Sequence, residues 1–198
     1  MDFSKNFFNQ NIETLNSINI TIVNKMIQIL LECKKNEGRL FLIGVGGSAG
    51  HCSHAVNDFR KICNIQAFTP TDNVSELTAR INDEGWENSY KNFLKGSKLN
   101  NKDVLMVYSV GGGSKEKNIS VNLINSIDYS KEVGSKVISI IGKETGYANK
   151  NSDACLVFKI NDDNFTTPIT EGLTSVIWHL FVSHPDLKEN QTTWELIK

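Results

Sequence analysis

The sequence predicts an α/β protein: a three-layer sandwich with a central, mainly parallel sheet flanked by helices, preceded by a long N-terminal helix. Three observations lead there. Short apolar runs recur along the chain, and several end in glycine, as buried parallel strands closed by tight turns do. Between them lie stretches whose apolar residues recur three and four apart, the spacing of a helix with one buried stripe. Strands alternating with helices build βαβ units, and βαβ units build parallel sheets.

The elements follow in order. Residues 3–36 read as helical, because Ile12, Leu15, Ile18, Ile22, Met26, Ile29 and Leu30 share one stripe. Arg39-Leu-Phe-Leu-Ile43 is the first strand, and Gly44-Val-Gly-Gly-Ser48 is the turn after it. A helix carrying His51, His54 and Asp58 comes next. Residues 64–100 are mixed, with a helix from Trp86 to Lys95. Asp103-Val-Leu-Met-Val-Tyr-Ser109 is another strand, running into Val110-Gly-Gly-Gly-Ser114 and a helical stretch with Ile119, Leu123, Ile124 and Ile127. Lys136-Val-Ile-Ser-Ile-Ile141, closed by Gly142, and Ala154-Cys-Leu-Val-Phe158 complete the strands. The last helix runs from about Ile169 to Ser183 and stops before Pro185. The expected organisation is one domain over 1–198, with 1–36 an oligomerisation helix and 37–198 the α/β core.

Bulk composition narrows the class. A chain of 198 residues suffices for one domain with a full core. Its 39% hydrophobic and 22% charged residues are ordinary for a globular protein. A net charge of -1 gives no basic field to attract nucleic acid. No apolar run approaches a membrane span, and Met1-Asp-Phe-Ser-Lys5 has no signal-peptide pattern. Cys33, Cys52, Cys63 and Cys155 are scattered with no CxxC pair, which predicts reduced thiols and a cytoplasmic protein. Neither nucleic acid nor membrane is expected as a partner.

The two glycine turns read alike: strand, glycines, serine, helix. Glycines let backbone N–H groups approach an anion closely, and the following helix offers unpaired N–H groups and a positive dipole end. Gly46, Gly47 and Ser48 in the first turn, and Ser109, Gly111, Gly112 and Ser114 in the second, are therefore candidate phosphate-binding residues. Neither turn is a P-loop, since no Lys follows in the GK[ST] arrangement, and neither has full GxGxxG spacing. The plainer alternative is that the glycines only turn the chain tightly between strand and helix.

A second constellation spans two helices. His54 and Asp58 are four apart and share a helix face. Glu171 and His179 are eight apart on the last helix, an offset of only about 80°, so both can flank one cleft. Imidazoles facing carboxylates suit proton transfer or a metal. The plainer readings are a core histidine in Ile177-Trp-His-Leu-Phe181 and a surface hydrogen bond for the His54–Asp58 pair. His51 and His184 are weaker candidates still, and His184 stands at a helix end before Pro185, where a cation can simply favour the dipole.

Together these residues resemble the sugar isomerase (SIS) domain family, most closely its phosphoheptose isomerases. The resemblance covers nearly the whole chain: the N-terminal helix, both glycine turns, Ile140-Ile-Gly-Lys143 and the C-terminal His helix stand in family order. Thr71-Asp72 and Asn82-Asp83 fall where that subfamily has similar short motifs. The resemblance implies the flavodoxin-like SIS fold and aldose–ketose isomerisation of a phosphorylated sugar through a cis-enediol. The implied substrate is sedoheptulose 7-phosphate, and the product D-glycero-D-manno-heptose 7-phosphate, used in lipopolysaccharide or capsule heptose biosynthesis. Carried over residue by residue, it implies Asp58 and His179 as catalytic residues and Asp83 as a substrate-binding residue. It implies His54, Asp58, Glu171 and His179 as zinc ligands, and a homotetramer with sites at subunit interfaces.

Departures from the family pattern are specific. Asp58 stands where the family has Glu, one methylene longer. Glu171 stands where it has Gln, and Val45 where it has Asn. The family's second turn, Ser-Thr-Ser-Gly-Asn-Ser, is here Ser109-Val-Gly-Gly-Gly-Ser114, and Pro168 or a neighbour replaces a sugar-facing Asp. Two registers fit the last helix, one placing His179 at the catalytic position and one placing Trp178 there. The alternative function is a catalytically silent SIS protein that senses a phosphosugar or serves as a scaffold for a partner.

Overall fold

The computed structural model describes residues 2–197. In chain order the elements are α1 (Phe3–Asn16), α2 (Ile20–Lys35), β1 (Leu40–Ile43), α3 (Gly47–Cys63), β2 (Ala67–Phe68), α4 (Val74–Glu84), α5 (Trp86–Gly96), β3 (Val104–Ser109), α6 (Val121–Glu132), β4 (Lys136–Ile141), α7 (Tyr147–Asn151), β5 (Ala154–Val157), α8 (Thr166–Ser183) and α9 (Thr193–Leu196). The strands form one parallel sheet in the order β2-β1-β3-β4-β5. The chain leaves β1 to one side for β2 and returns to the other for β3. Strand order therefore reverses between β1 and β3, and a crevice opens there at the carboxyl ends of the strands. Both glycine turns border that crevice.

The period-2 alternation of the strands divides the core into two layers. Leu40 and Leu42 of β1 and Val104, Met106 and Tyr108 of β3 face α2, α3 and α8. Phe41 and Ile43, with Leu105 and Val107, face α5, α6 and α7. All six residues of β3 are buried, as a central strand covered on both faces requires. At the opposite end of the strands, the Arg39 guanidinium meets the buried Asp103 at 2.7 Å and ties the start of β1 to the start of β3.

The helical N-terminal region comes as two helices rather than one run. Asn19 accepts a hydrogen bond from the Ile22 N–H and caps α2, so α1 ends at Asn16. The apolar stripe splits with it. Met26 and Leu30 of α2 are fully buried, whereas Ile12 and Leu15 of α1 are 55% and 39% exposed. The mixed segment contains α4, capped by Asn73, which accepts from the Ser75 and Glu76 N–H groups. At the other end, α8 begins at Thr166, ahead of the expected Ile169. Pro168 sits in its first turn, where a missing N–H costs nothing.

Candidate functional site

The first glycine turn enters α3 directly. A Cβ on Gly44 would lie 2.7 Å from the Ser48 carbonyl, so the chain doubles back too closely for any side chain. Gly46 has φ 63° and ψ -127°, a conformation open essentially to glycine alone. A Cβ there would meet nothing within 4 Å, so the turn faces open space. No side chain caps α3, whose first residues are Gly47 and the buried Ser48. The Glu171 carboxylate, from the first turns of α8, lies over this helix start: a Cβ on Gly47 would be 2.5 Å from its Oε1. Burial lowers the pKa of His51 one turn along α3, and the Glu171 charge offsets part of that shift.

The second turn differs from the expected strand–glycine–serine–helix pattern. After Ser114 the chain makes a small hairpin, with Ser114 and Ile119 exchanging both backbone hydrogen bonds, and α6 starts only at Val121. The carbonyls of Val110, Gly112 and Gly113 accept from the N–H groups of Gly142, Ala148 and Tyr147. The glycines let two backbones cross: a Cβ on Gly146 would come within 2.9 Å of the Gly112 Cα. Both serine hydroxyls accept local hydrogen bonds, Ser109 from the Gly112 N–H at 3.0 Å and Ser114 from the Lys117 N–H at 3.2 Å. Each keeps its own hydrogen for an outside acceptor. Lys115 anchors the hairpin to Asp128 and lies over the Tyr147 ring. Between this hairpin and the β4–α7 loop is a cavity of about 540 Å³ lined by Gly111, Gly113, Ser114, Lys117 and Lys143. A larger cavity of about 880 Å³ lies at the amino ends of the strands, beside Gly38 and Gln66. That end is opposite the crevice, so the smaller cavity is the one placed for a ligand of this fold.

Deeper along α3, His54, Asp58 and His179 converge. Their ligand atoms all lie within 4.8 Å of one another. His54 Nε2 is 3.4 Å and His179 Nε2 3.5 Å from the same oxygen, Oδ2 of the buried Asp58. That oxygen also accepts from the Trp178 indole N–H at 3.3 Å, while Oδ1 accepts from the Asn57 amide at 3.1 Å. His179 Nδ1 is 2.7 Å from the Ser175 carbonyl, which can only accept, so Nδ1 carries the hydrogen and Nε2 presents its lone pair to the cluster. The arrangement fits a zinc ion. Tetrahedral zinc with bonds of about 2.0–2.1 Å spaces its ligand atoms about 3.3 Å apart. The backbone bond to Nδ1 is the usual outer support of a zinc-binding imidazole.

The structure thus gathers three of the four residues expected at the metal. Glu171 lies two turns away on α8, over Gly47, and is not in that group. Asp83 sits on α4 accepting from the Asn82 amide, and among the described residues it makes no hydrogen bond to either glycine turn. Sequence reasoning missed Trp178 as a partner of Asp58. It treated Trp178 and His179 as rivals for one position, whereas both reach that carboxylate, one from the core side and one from the surface side. Residues i and i+1 on a helix diverge by about 100°, and that divergence was the available signal.

Comparison with known proteins places the architecture. Residues 6–142 match the family described as SIS domain. A phosphoheptose isomerase of Helicobacter pylori strain P12 is 27% identical over 167 residues, covering 80% of each chain. The structure of a phosphoheptose isomerase from Neisseria gonorrhoeae superposes with a TM-score of 0.77 at 20% identity, covering 90% of this chain and 91% of that one. One from Francisella tularensis gives 0.76 at 19% identity, covering 91% and 92%. The parallel sheet, the strand order reversing between β1 and β3, and the match across most of the sequence agree: this chain belongs to the SIS domain family.

Proposed function

We propose that the protein is a phosphosugar isomerase converting sedoheptulose 7-phosphate to D-glycero-D-manno-heptose 7-phosphate or acting on a closely related sugar phosphate. The observation that carries this reading is the convergence of His54, Asp58 and His179 between α3 and α8, about two to three turns along α3 from the first glycine turn. The names of the similar proteins supply the substrate class. In the reaction, Asp58 takes a proton from C1 of the ketose and His179, acting as the imidazolium, delivers one from Nε2 to the C2 oxygen, giving the cis-enediol. Return of a proton to C2 and loss of the O1 proton complete the aldose. A zinc ion held by His54, Asp58 and His179 would occupy that Nε2 and would polarise the carbonyl in place of the delivered proton. The phosphate, bound by Ser48, Ser109, Ser114 and neighbouring N–H groups, fixes the far end of the sugar and so orients C1 and C2.

A homotetramer in the cytoplasm belongs to the same proposal. Phe3, Phe8 and Ile12 of α1 are 71%, 64% and 55% exposed, an apolar face that a second copy would cover. The four cysteines are free thiols, which suits a reducing compartment. No helix among the described residues is long and apolar enough to cross a membrane.

The test is direct. Purified protein is incubated with sedoheptulose 7-phosphate, with and without added zinc after chelation, and aldose formation is followed by NMR. Product formation supports the isomerase; binding seen as a thermal shift without product supports the sensor.

A further inference from the structure

We infer that Trp178 is the positioning residue for Asp58: its indole N–H, with the Asn57 amide, fixes the short carboxylate in the orientation from which it faces His54 and His179. The inference rests on the reading of Asp58 as a proton-moving residue. A carboxylate on a single methylene is free to rotate unless both oxygens are held. Here Oδ1 accepts from Asn57 at 3.1 Å and Oδ2 from Trp178 at 3.3 Å, so its plane is set from two sides. The indole is itself immobile. Trp178 is 1% exposed and stacked on Tyr108, with ring centroids 6.0 Å apart and planes at 23°. The rings of His51, His54 and His179 pack around it at 5.1, 5.4 and 4.9 Å.

The donor's chemistry suits the role. Indole nitrogen donates and never accepts, so it neither takes the substrate proton nor competes for a metal. Donation to an ionised carboxylate is the stronger kind of hydrogen bond. The pair also accounts for the residue at 58. Glutamate would carry its carboxylate about 1.5 Å further from α3, past an indole N–H that reaches in from α8. Aspartate and Trp178 are thus a matched pair, and the shorter acid is what this core accommodates.

Two measurements test the proposal. Trp178→Phe keeps a ring against Tyr108 and deletes the N–H. In the zinc-loaded enzyme it is expected to lower kcat on the order of tenfold to a hundredfold with KM within about twofold, the loss due to one hydrogen bond to a charged group. Unchanged kcat in a folded variant overturns the proposal. The second measurement needs no activity. The chain has three tryptophans, so the Trp178 indole N–H resonance is identified by elimination with Trp86→Phe and Trp194→Phe. That resonance is expected to shift in Asp58→Ala and to stay in place in Asp153→Asn. Indifference to Asp58→Ala overturns the proposal even if Trp178→Phe fails to fold. If the wild-type protein gives no turnover, the isomerase reading fails, and the indole resonance alone decides whether Trp178 holds Asp58.

Discussion

The turn after β1 and the turn after β3 are spelled almost identically, and they do different work. In the first, Gly46 adopts a glycine-only conformation facing open space, and Gly47 and Ser48 begin a helix that no side chain caps. In the second, the glycines are needed where two backbones cross at Gly146, and their carbonyls are bound by the β4–α7 segment. There the helix starts seven residues past Ser114, at Val121. A glycine–serine run after a strand therefore has two possible causes. It leaves backbone N–H groups free for an anion, or it clears space for another piece of chain. The letters are the same in both cases; what separates them is how soon the helix begins and where the carbonyls go.

This division predicts that proton chemistry concentrates along α3 and α8, and that the second turn contributes order and, through the Ser109 and Ser114 hydroxyls, a hold on the phosphate. The largest expected effects are therefore in the cluster. Asp58→Asn and His179→Ala should each lower kcat by about 10²–10⁴-fold, the usual contribution of a general acid or base, with the thermal midpoint changing little. Retained turnover in both variants would break the comparison, because the first-turn side would then carry no chemistry.

The next effect is on stability. Gly146→Ala pushes a methyl group against Gly112 in a crossing with no slack, and such overpacking costs about 1–3 kcal/mol. A chain of this size should lose several degrees in Tm. The KM for the sugar phosphate should rise only as far as the turn itself moves. Loss of affinity at full stability would show instead that the crossing serves the ligand more than the fold.

Much of this architecture was legible in the sequence, for identifiable reasons. The strands ending at Ile43 and Ser109 announce themselves because a parallel strand buried on both faces is a continuous apolar run. His54 and Asp58 were legible as a pair because helical spacing fixes which residues share a face, whereas His179 joins them from another helix, a grouping that only the resemblance implied. The break at Asn19 was not, because the apolar stripe continues through a point where one capping side chain stops the helix. The hairpin after Ser114 was hidden for a similar reason. Ile119 keeps helical spacing with Leu123 but lies in the loop, 54% exposed. Glu171 was placed with His179 by angle alone. Angle ignores the rise of about 1.5 Å per residue, which carries a position eight residues away roughly 12 Å along the axis.

Glu171 gives the smallest and most discriminating test. Its carboxylate lies over the start of α3, where the first turn would take a phosphate. A negative charge at a helix N-terminus is worth about 0.3–1 kcal/mol, and it repels a second anion there by a similar amount. Glu171→Gln should therefore lower the KM for the sugar phosphate by about twofold to fivefold while leaving zinc binding unchanged. The same variant should lower the pKa of His51 further. Burial already lowers it, and the Glu171 charge is the opposing influence that raises it, so removing that charge lets burial act alone. An NMR titration of His51 reads this shift without any turnover. If Glu171 instead completes the zinc site, as the four-residue set implied, the substitution weakens zinc binding and KM does not improve. The two outcomes separate a carboxylate that guards the first turn from one that belongs to the metal.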